Sequence, residues 1–193
     1  EVIKELLWSK IFWVILVYFV IVISLITFVR AVSQKFGPGN LWKMLKGTYY
    51  RPQEDQRIFM FLDLKSSTTI AEEIGHIKFS EFIQECFYDL NEIVPTFKAE
   101  IYQYVGDEAI LSWSNEDGFK DSNCVEVFFA FMQKLQGKAD YYITKYGRIP
   151  EFKAGLHFGK VTIAEVGVVK KEIAYHGDVL NTTARIQDQC NKL

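Results

Sequence analysis

The chain has 193 residues, with 22 Lys and Arg against 24 Asp and Glu for a net charge of −2; 49% of its residues are hydrophobic and 24% charged. That composition excludes a disordered or collagen-like chain, and the near-neutral balance gives no general case for nucleic-acid binding. The length suits one ordinary domain plus an appendage.

The appendage comes first. Residues 11–29, IFWVILVYFVIVISLITFV, hold 17 apolar residues of 19, with Ser24 and Thr27 as the polar exceptions and no charge. As a helix this stretch spans about 28 Å, close to the hydrocarbon thickness of a bilayer. Lys10 marks one end and Arg30 with Lys35 the other, while Trp8, Trp13 and Tyr18 sit near the first boundary, where amphipathic rings are comfortable. A signal-peptide apolar region is shorter and is followed by a small-residue cleavage site, and core helices rarely run this long without a charge. Residues 1–32 therefore read as a transmembrane helix with its flanks.

Residues 33–57 read as a basic juxtamembrane linker. From Arg30 to Arg57 six basic residues stand against Glu54 and Asp55, a net +4, whereas from Ile58 onward there are 14 basic and 20 acidic residues, a net −6. A basic collar behind a span places the following domain on the cytoplasmic side of the cell membrane. KFGPGN (35–40) breaks the span, and LWKMLKG (41–47) forms a short amphipathic piece that either lies in the lipid interface or packs on the next domain. Cys86, Cys124 and Cys190 are odd in number and widely spaced, which fits a reducing compartment and no disulfide framework. Glu1 is not an initiator Met, so the chain reads as a piece of a longer protein.

Residues 58–193 read as the soluble domain. IFMFLDL (58–64) lacks alternation and predicts a strand covered on both faces. Thr69, with Glu72 three residues on, has capping-box spacing and predicts a helix start; Phe79, Phe82, Ile83, Phe87 and Leu90 carry the helix to about Val94. Residues 99–113 place two apolar strands around Gly106-Asp107, a tight hairpin. A second helix is expected from about Gly118 to Tyr146, with Val125, Phe128, Phe129, Met132 and Leu135 as its buried stripe. Residues 152–161 predict another strand, residues 162–175 one or two more, and Asp178 starts a last helix. The order is βαββαβ with additions, so the expected fold class is α+β, ferredoxin-like, with helices on one face of an antiparallel sheet. The other face is expected to stay open, and a homodimer would cover it.

Asp63 ends the first strand and Asp107 sits in the hairpin turn, so the topology can bring these carboxylates together, as Mg²⁺ requires when substrate phosphates complete its shell. Leu64 to Thr69 follow at a helix start, where free backbone N–H groups can cradle a polyphosphate. Asn181 and Arg185 are four apart and share a helix face; an amide with a guanidinium can orient a sugar and neutralise phosphoryl charge. His76, His157 and His176 have no metal-ligand spacing.

IFMFLDLKSSTTIAE, IYQYVGDEAILSW and YHGDVLNTTARIQ resemble, in order, the three signature segments of class III nucleotidyl cyclases, over roughly Arg57 to Asn191. The resemblance implies that Asp63 and Asp107 bind two Mg²⁺ or Mn²⁺ ions with help from the Leu64 carbonyl. It implies that the backbone of Ser66, Ser67, Thr68 and Thr69 holds the β and γ phosphates. Asn181 would orient the ribose and Arg185 would stabilise the α-phosphoryl group. Family sites form between two catalytic domains, so a homodimer would carry two. The purine-selecting positions fall on Gln103 and Ala174; Gln103 can donate and accept, and Ala174 has no polar group, so these residues leave ATP and GTP both open. ATP is favoured on the general style of bacterial membrane-bound members. Family domains continue beyond the point where this chain stops, so the domain is expected to lack its C-terminal part. A nucleotide-binding regulatory domain without turnover is the alternative, and a ferredoxin-like RNA-binding module is disfavoured by the net −6.

Overall fold

A computed structural model describes residues 10–36, 46–169 and 171–190. Trp8, most of the 35–47 segment and Asn191 lie outside the described residues. The chain divides into two compact units, Glu1–Thr48 and Tyr49–Leu193.

In the first unit, α1 spans Lys10–Phe36, and its Lys10–Ser33 portion is long and apolar enough to cross a membrane. Thr27 Oγ1 donates to the Ile23 carbonyl at 2.8 Å, so a polar side chain within the apolar run is satisfied by its own helix.

The second unit is α+β. In chain order it contains β1 (Gln53–Leu64), α2 (Ser67–Ile74), α3 (His76–Ile93), β2 (Glu100–Val105), β3 (Glu108–Ser114), α4 (Asn115–Phe119), α5 (Asn123–Gly137), α6 (Ala139–Tyr146), β4 (Phe152–Val166), β5 (Glu172–His176) and α7 (Asp178–Gln189). The five strands form one antiparallel sheet in the order β2-β3-β1-β4-β5. The long strands β1 and β4 pair from Gln53↔Ile163 to Leu64↔Phe152, and they make the rigid centre on which the rest is hung.

Alternation along β1 sorts the core into two layers. Ile58, Met60, Leu62 and Leu64 join Leu111, Trp113, Phe82, Leu90, Phe131 and Tyr142 in the larger cluster, beneath α2, α3, α5 and α6. Phe59 and Phe61 join Ile110, Val161, Ile163 and Val179 in a smaller one beneath α7. Buried Asp89 on α3 accepts from the Tyr142 hydroxyl at 2.8 Å and pairs with Lys138, which fastens α3 to α6.

Several expectations need correction. The sheet's second face is not left open, because α7 packs across β4 and β1. Two glycines in β4 make that possible: a Cβ on Gly155 would lie 2.5 Å from the Gln187 backbone nitrogen, and one on Gly159 would lie 2.5 Å from Val179 Cγ2. β1 starts at Gln53 rather than Ile58; its first four residues are exposed, so no apolar pattern announces them. Arg57, counted in the basic collar, is buried under α7's side of the sheet, where its Nη2 donates to Glu100 at 2.7 Å and to Ser112 at 3.1 Å, and its guanidinium lies 5.3 Å from the Tyr175 ring centre.

The first helix starts at Ser67, not Thr69, and Ser66 turns the chain in a left-handed conformation (φ 58°) with no side-chain cap. The turn is fixed by the backbone instead: Lys65 N–H donates to the Glu151 carbonyl at 2.9 Å, and Ile70 N–H to Ser66 at 3.0 Å. The long second helix is three, α4, α5 and α6. On α5 the buried stripe is Cys124, Val127, Phe131 and Leu135, while Val125 is 41% and Phe129 59% exposed.

Candidate active site

Asp63 lies at the C-terminal end of β1, on the face that α7 covers. Its cross-strand partners there are Glu108 on β3 and Lys153 on β4. Directly opposed side chains in an antiparallel pair lie about 5 Å apart at Cβ, so the carboxylate of Asp63 sits between an acid and a base by register alone. Asp107 precedes Glu108 in the two-residue turn after β2. Gly106 occupies the first turn position with φ 63°, a conformation open to glycine at little cost. That turn delivers Asp107 to the end of the sheet where Asp63 stands.

Two donors hold Asp63. Lys153 Nζ lies 2.8 Å from Oδ2, with its side chain only 9% exposed. Gln187 Nε2, on α7 and buried, donates to the same oxygen at 2.9 Å. Around them negative charge accumulates. The Glu108 carboxyl is pushed up to about 7, first by burial and then by the charges of Asp63, Asp107 and Asp188, with Lys153 offsetting part of the effect.

Among the described residues no group of three or more His, Cys, Asp or Glu side chains makes a ready metal cage. The donor set still fits a hard divalent ion. Two carboxylates and a backbone carbonyl in a pocket of excess negative charge are what Mg²⁺ uses when phosphates supply its other ligands. Leu64 is buried at the last position of β1, which puts its carbonyl at the same end of the sheet. Ser66 to Thr69 follow at once, and the first-turn N–H groups of α2 have no acceptor within their own helix.

Asn181 and Arg185 are both exposed on α7. The buried side chains of that helix are Val179, Thr183 and Gln187. At 100° per residue these three centre on the side opposite Asn181 and Arg185. One chain therefore turns Asn181 and Arg185 away from the sheet, and from the carboxylates at its edge. Gln103 is exposed on β2, opposite Ile110 across an irregularity in the β2–β3 pairing. Ala174 pairs with Ala164, and its neighbours Ile173 and Tyr175 both pack in the smaller cluster. By alternation Ala174 faces the other side of the sheet.

Lys153, Gln187 and Glu108 were not singled out from sequence. Lys153 shares its strand with Lys160 and Glu165, so its charge alone does not set it apart. Its partner is 90 positions earlier in the chain, and only the β1–β4 register reveals it.

Comparison with known proteins agrees with this architecture. A family model described as the adenylate and guanylate cyclase catalytic domain matches residues 49–193. Adenylate cyclase 2 of Rhizobium meliloti (strain 1021) is 33% identical over 179 residues, covering 93% of this chain and 49% of that protein. The chain thus spans about half the length of this curated relative. Among solved structures, a bacterial light-regulated adenylyl cyclase superposes with a TM-score of 0.75 at 20% identity, over 89% of this chain and 52% of its own. The adenylyl cyclase CyaB from P. aeruginosa has a TM-score of 0.64 at 15% identity, covering 72% and 74% of the two chains. The guanylyl cyclase Cya2 has the same score and identity, covering 70% and 71%.

Proposed function

The chain belongs to the adenylate and guanylate cyclase catalytic domain family, and on that premise we propose that it is part of a membrane-anchored adenylate cyclase converting ATP to 3′,5′-cyclic AMP and pyrophosphate for intracellular signalling. α1 would anchor it and the basic collar would keep the catalytic domain in the cytoplasm. The strand order β2-β3-β1-β4 supports the ferredoxin-like βαββαβ frame, with β5 and α7 added to it.

The observation that carries the reading is the division of site residues between two sides of one chain. Asp63 and Asp107 stand at the sheet end, whereas Asn181 and Arg185 point outward from α7. Such a chain completes a site only against a second copy, and a two-fold homodimer would form two equivalent sites. In each, Asp63, Asp107 and the Leu64 carbonyl of one protomer would hold two Mg²⁺ or Mn²⁺ ions. A divalent ion held there would lower the pKa of the attacking hydroxyl and screen the triphosphate. The first-turn N–H groups at Ser66, Ser67, Thr68 and Thr69 would receive the β and γ phosphates. The partner's α7 would supply the amide of Asn181 to the ribose and the guanidinium of Arg185 to the α-phosphoryl oxygens. The 3′-hydroxyl would give up its proton to solvent as its oxygen bonds to the α-phosphorus and the bond to pyrophosphate breaks, and Arg185 would stand where charge develops.

Similarity to Adenylate cyclase 2 supports ATP over GTP. Gln103 can pair with either purine edge, so the substrate is decided by product analysis of the full-length protein with ATP and with GTP, in Mg²⁺ and in Mn²⁺. Cyclic AMP is expected; cyclic GMP alone would reassign the substrate, and no product from either nucleotide would favour a silent regulatory domain. Asp107→Ala is expected to abolish turnover. Equal mixing of Asp63→Ala and Arg185→Ala chains should recover about a quarter of the parent rate, since half the dimers regain one of two sites. No recovery in assembled mixed dimers would refute the shared site.

A further inference from the structure

The geometry points to Lys153 and Gln187 as a pair of positioning residues that orient the Asp63 carboxylate for a divalent cation. The inference rests on the reading of Asp63 as a cation ligand. A carboxylate at a strand end can rotate about its side-chain torsions, and a free one presents either oxygen. Here both donors reach the same oxygen, Oδ2: Lys153 Nζ at 2.8 Å and Gln187 Nε2 at 2.9 Å. Neither of these two contacts engages Oδ1. With one oxygen pinned from two directions, the plane and reach of the other are set before any ion arrives. Hydrogen bonds to a ligating carboxylate from such outer groups fix its orientation and support cation affinity.

Neither donor is a mobile surface group. Lys153 is placed by strand register directly opposite Asp63, and its side chain is 9% exposed. Gln187 is 4% exposed on α7, and its backbone rests on Gly155, where a Cβ would come within 2.7 Å of the Thr183 carbonyl as well. The two come from different elements, so the clamp forms only when α7 is docked on β4. Gln187 lies two residues past Arg185, and the clamp therefore also ties the aspartate of one site to the helix that carries the outward-facing pair.

A competing role for Lys153 is a plain positive charge that opposes a cation. The two roles predict opposite effects of its removal. Mn²⁺ binding to the full chain, followed by the spin-resonance signal of the free ion, reads the site without turnover. Gln187→Met keeps side-chain length, Lys153→Met shortens it by one atom, and each removes its contact to Oδ2. Each is expected to weaken Mn²⁺ binding about tenfold or more, and Lys153→Arg to restore it to near the parent value. Lys153 stands on a strand rather than on the docked helix, so its variants keep the test open if Gln187→Met does not fold. Unchanged or tighter binding in a folded Lys153→Met protein overturns the proposal. Asp63→Ala separates this result from the reading beneath it. If the parent binds no Mn²⁺, or Asp63→Ala binds it as the parent does, the cation role of Asp63 fails. If Asp63→Ala loses binding and Lys153→Met keeps it, only the positioning role fails.

Discussion

On the sheet face under α2, α3, α5 and α6, β1 contributes Ile58, Met60, Leu62 and Leu64, all 2% exposed or less; on the face under α7 it contributes Arg57, Phe59, Phe61 and Asp63. The same contrast runs through β3, with Ala109, Leu111 and Trp113 against Glu108, Ile110 and Ser112. β4 repeats it, with Phe152 and Ala154 against Lys153 and Gly155. One face is closed by α2 to α6 and filled with large apolar side chains. The other is covered by one helix and interleaves apolar residues with charges held in pairs. Period-two alternation lets a single set of strands carry stability on one side and polar chemistry on the other.

If that division is right, substitutions on the two faces should separate stability from catalysis. Trp113 is fully buried in the larger cluster and its Nε1 donates to the Phe97 carbonyl at 3.0 Å. Trp113→Ala should cost about 3–5 kcal/mol in thermal or urea unfolding, while the protein that remains folded keeps its kcat. Arg185→Ala, at an exposed position on α7, should leave the unfolding midpoint within about 0.5 kcal/mol yet lower kcat by about 10²–10³. A Trp113 variant that stays folded but loses kcat, or an Arg185 variant that unfolds, would break the comparison.

Gly155 lies where the two roles meet. Alanine there would put a Cβ 2.5 Å from the Gln187 nitrogen, which is backbone and cannot swing aside. Gly155→Ala should therefore lift α7 and cost about 1–3 kcal/mol. Its effect on kcat should exceed what the stability loss explains, because α7 carries Asn181, Arg185 and Gln187. Equal loss of kcat and folded fraction would mean that α7 has no separate catalytic role.

How much of this was legible in the sequence follows from how local each signal is. Asp63 at the end of an apolar run, Gly106-Asp107 between two strand-like halves, and Asn181 with Arg185 at helical spacing are all short-range patterns. The Asp63–Lys153–Gln187 cluster joins three elements through strand register and helix docking, and neither leaves a local trace. The start of β1 was hidden because Gln53 to Gln56 are exposed and carry no apolar rhythm. The start of α2 has no side-chain signal because the turn at Ser66 is held by backbone bonds, Lys65 N–H to the Glu151 carbonyl and Ile70 N–H to the Ser66 carbonyl, not by a side-chain cap. Even the openness of the second face was a local inference, defeated by Gly155 and Gly159, whose missing side chains admit a helix the strand pattern alone does not announce.

The smallest expected effect tests which apolar stripe of α5 is buried. α5 carries two overlapping apolar rows, one through Cys124, Val127, Phe131 and Leu135 and one through Val125 and Phe129. Helical spacing alone cannot choose between them, since the first row steps by three and four residues and the second by four, both helical intervals. The structure buries the first row completely and leaves Phe129 59% exposed. Phe131→Ala should then cost about 3–5 kcal/mol and Phe129→Ala within about 0.5 kcal/mol in unfolding of the same protein. A comparable loss at Phe129 would mean that this row is covered in solution.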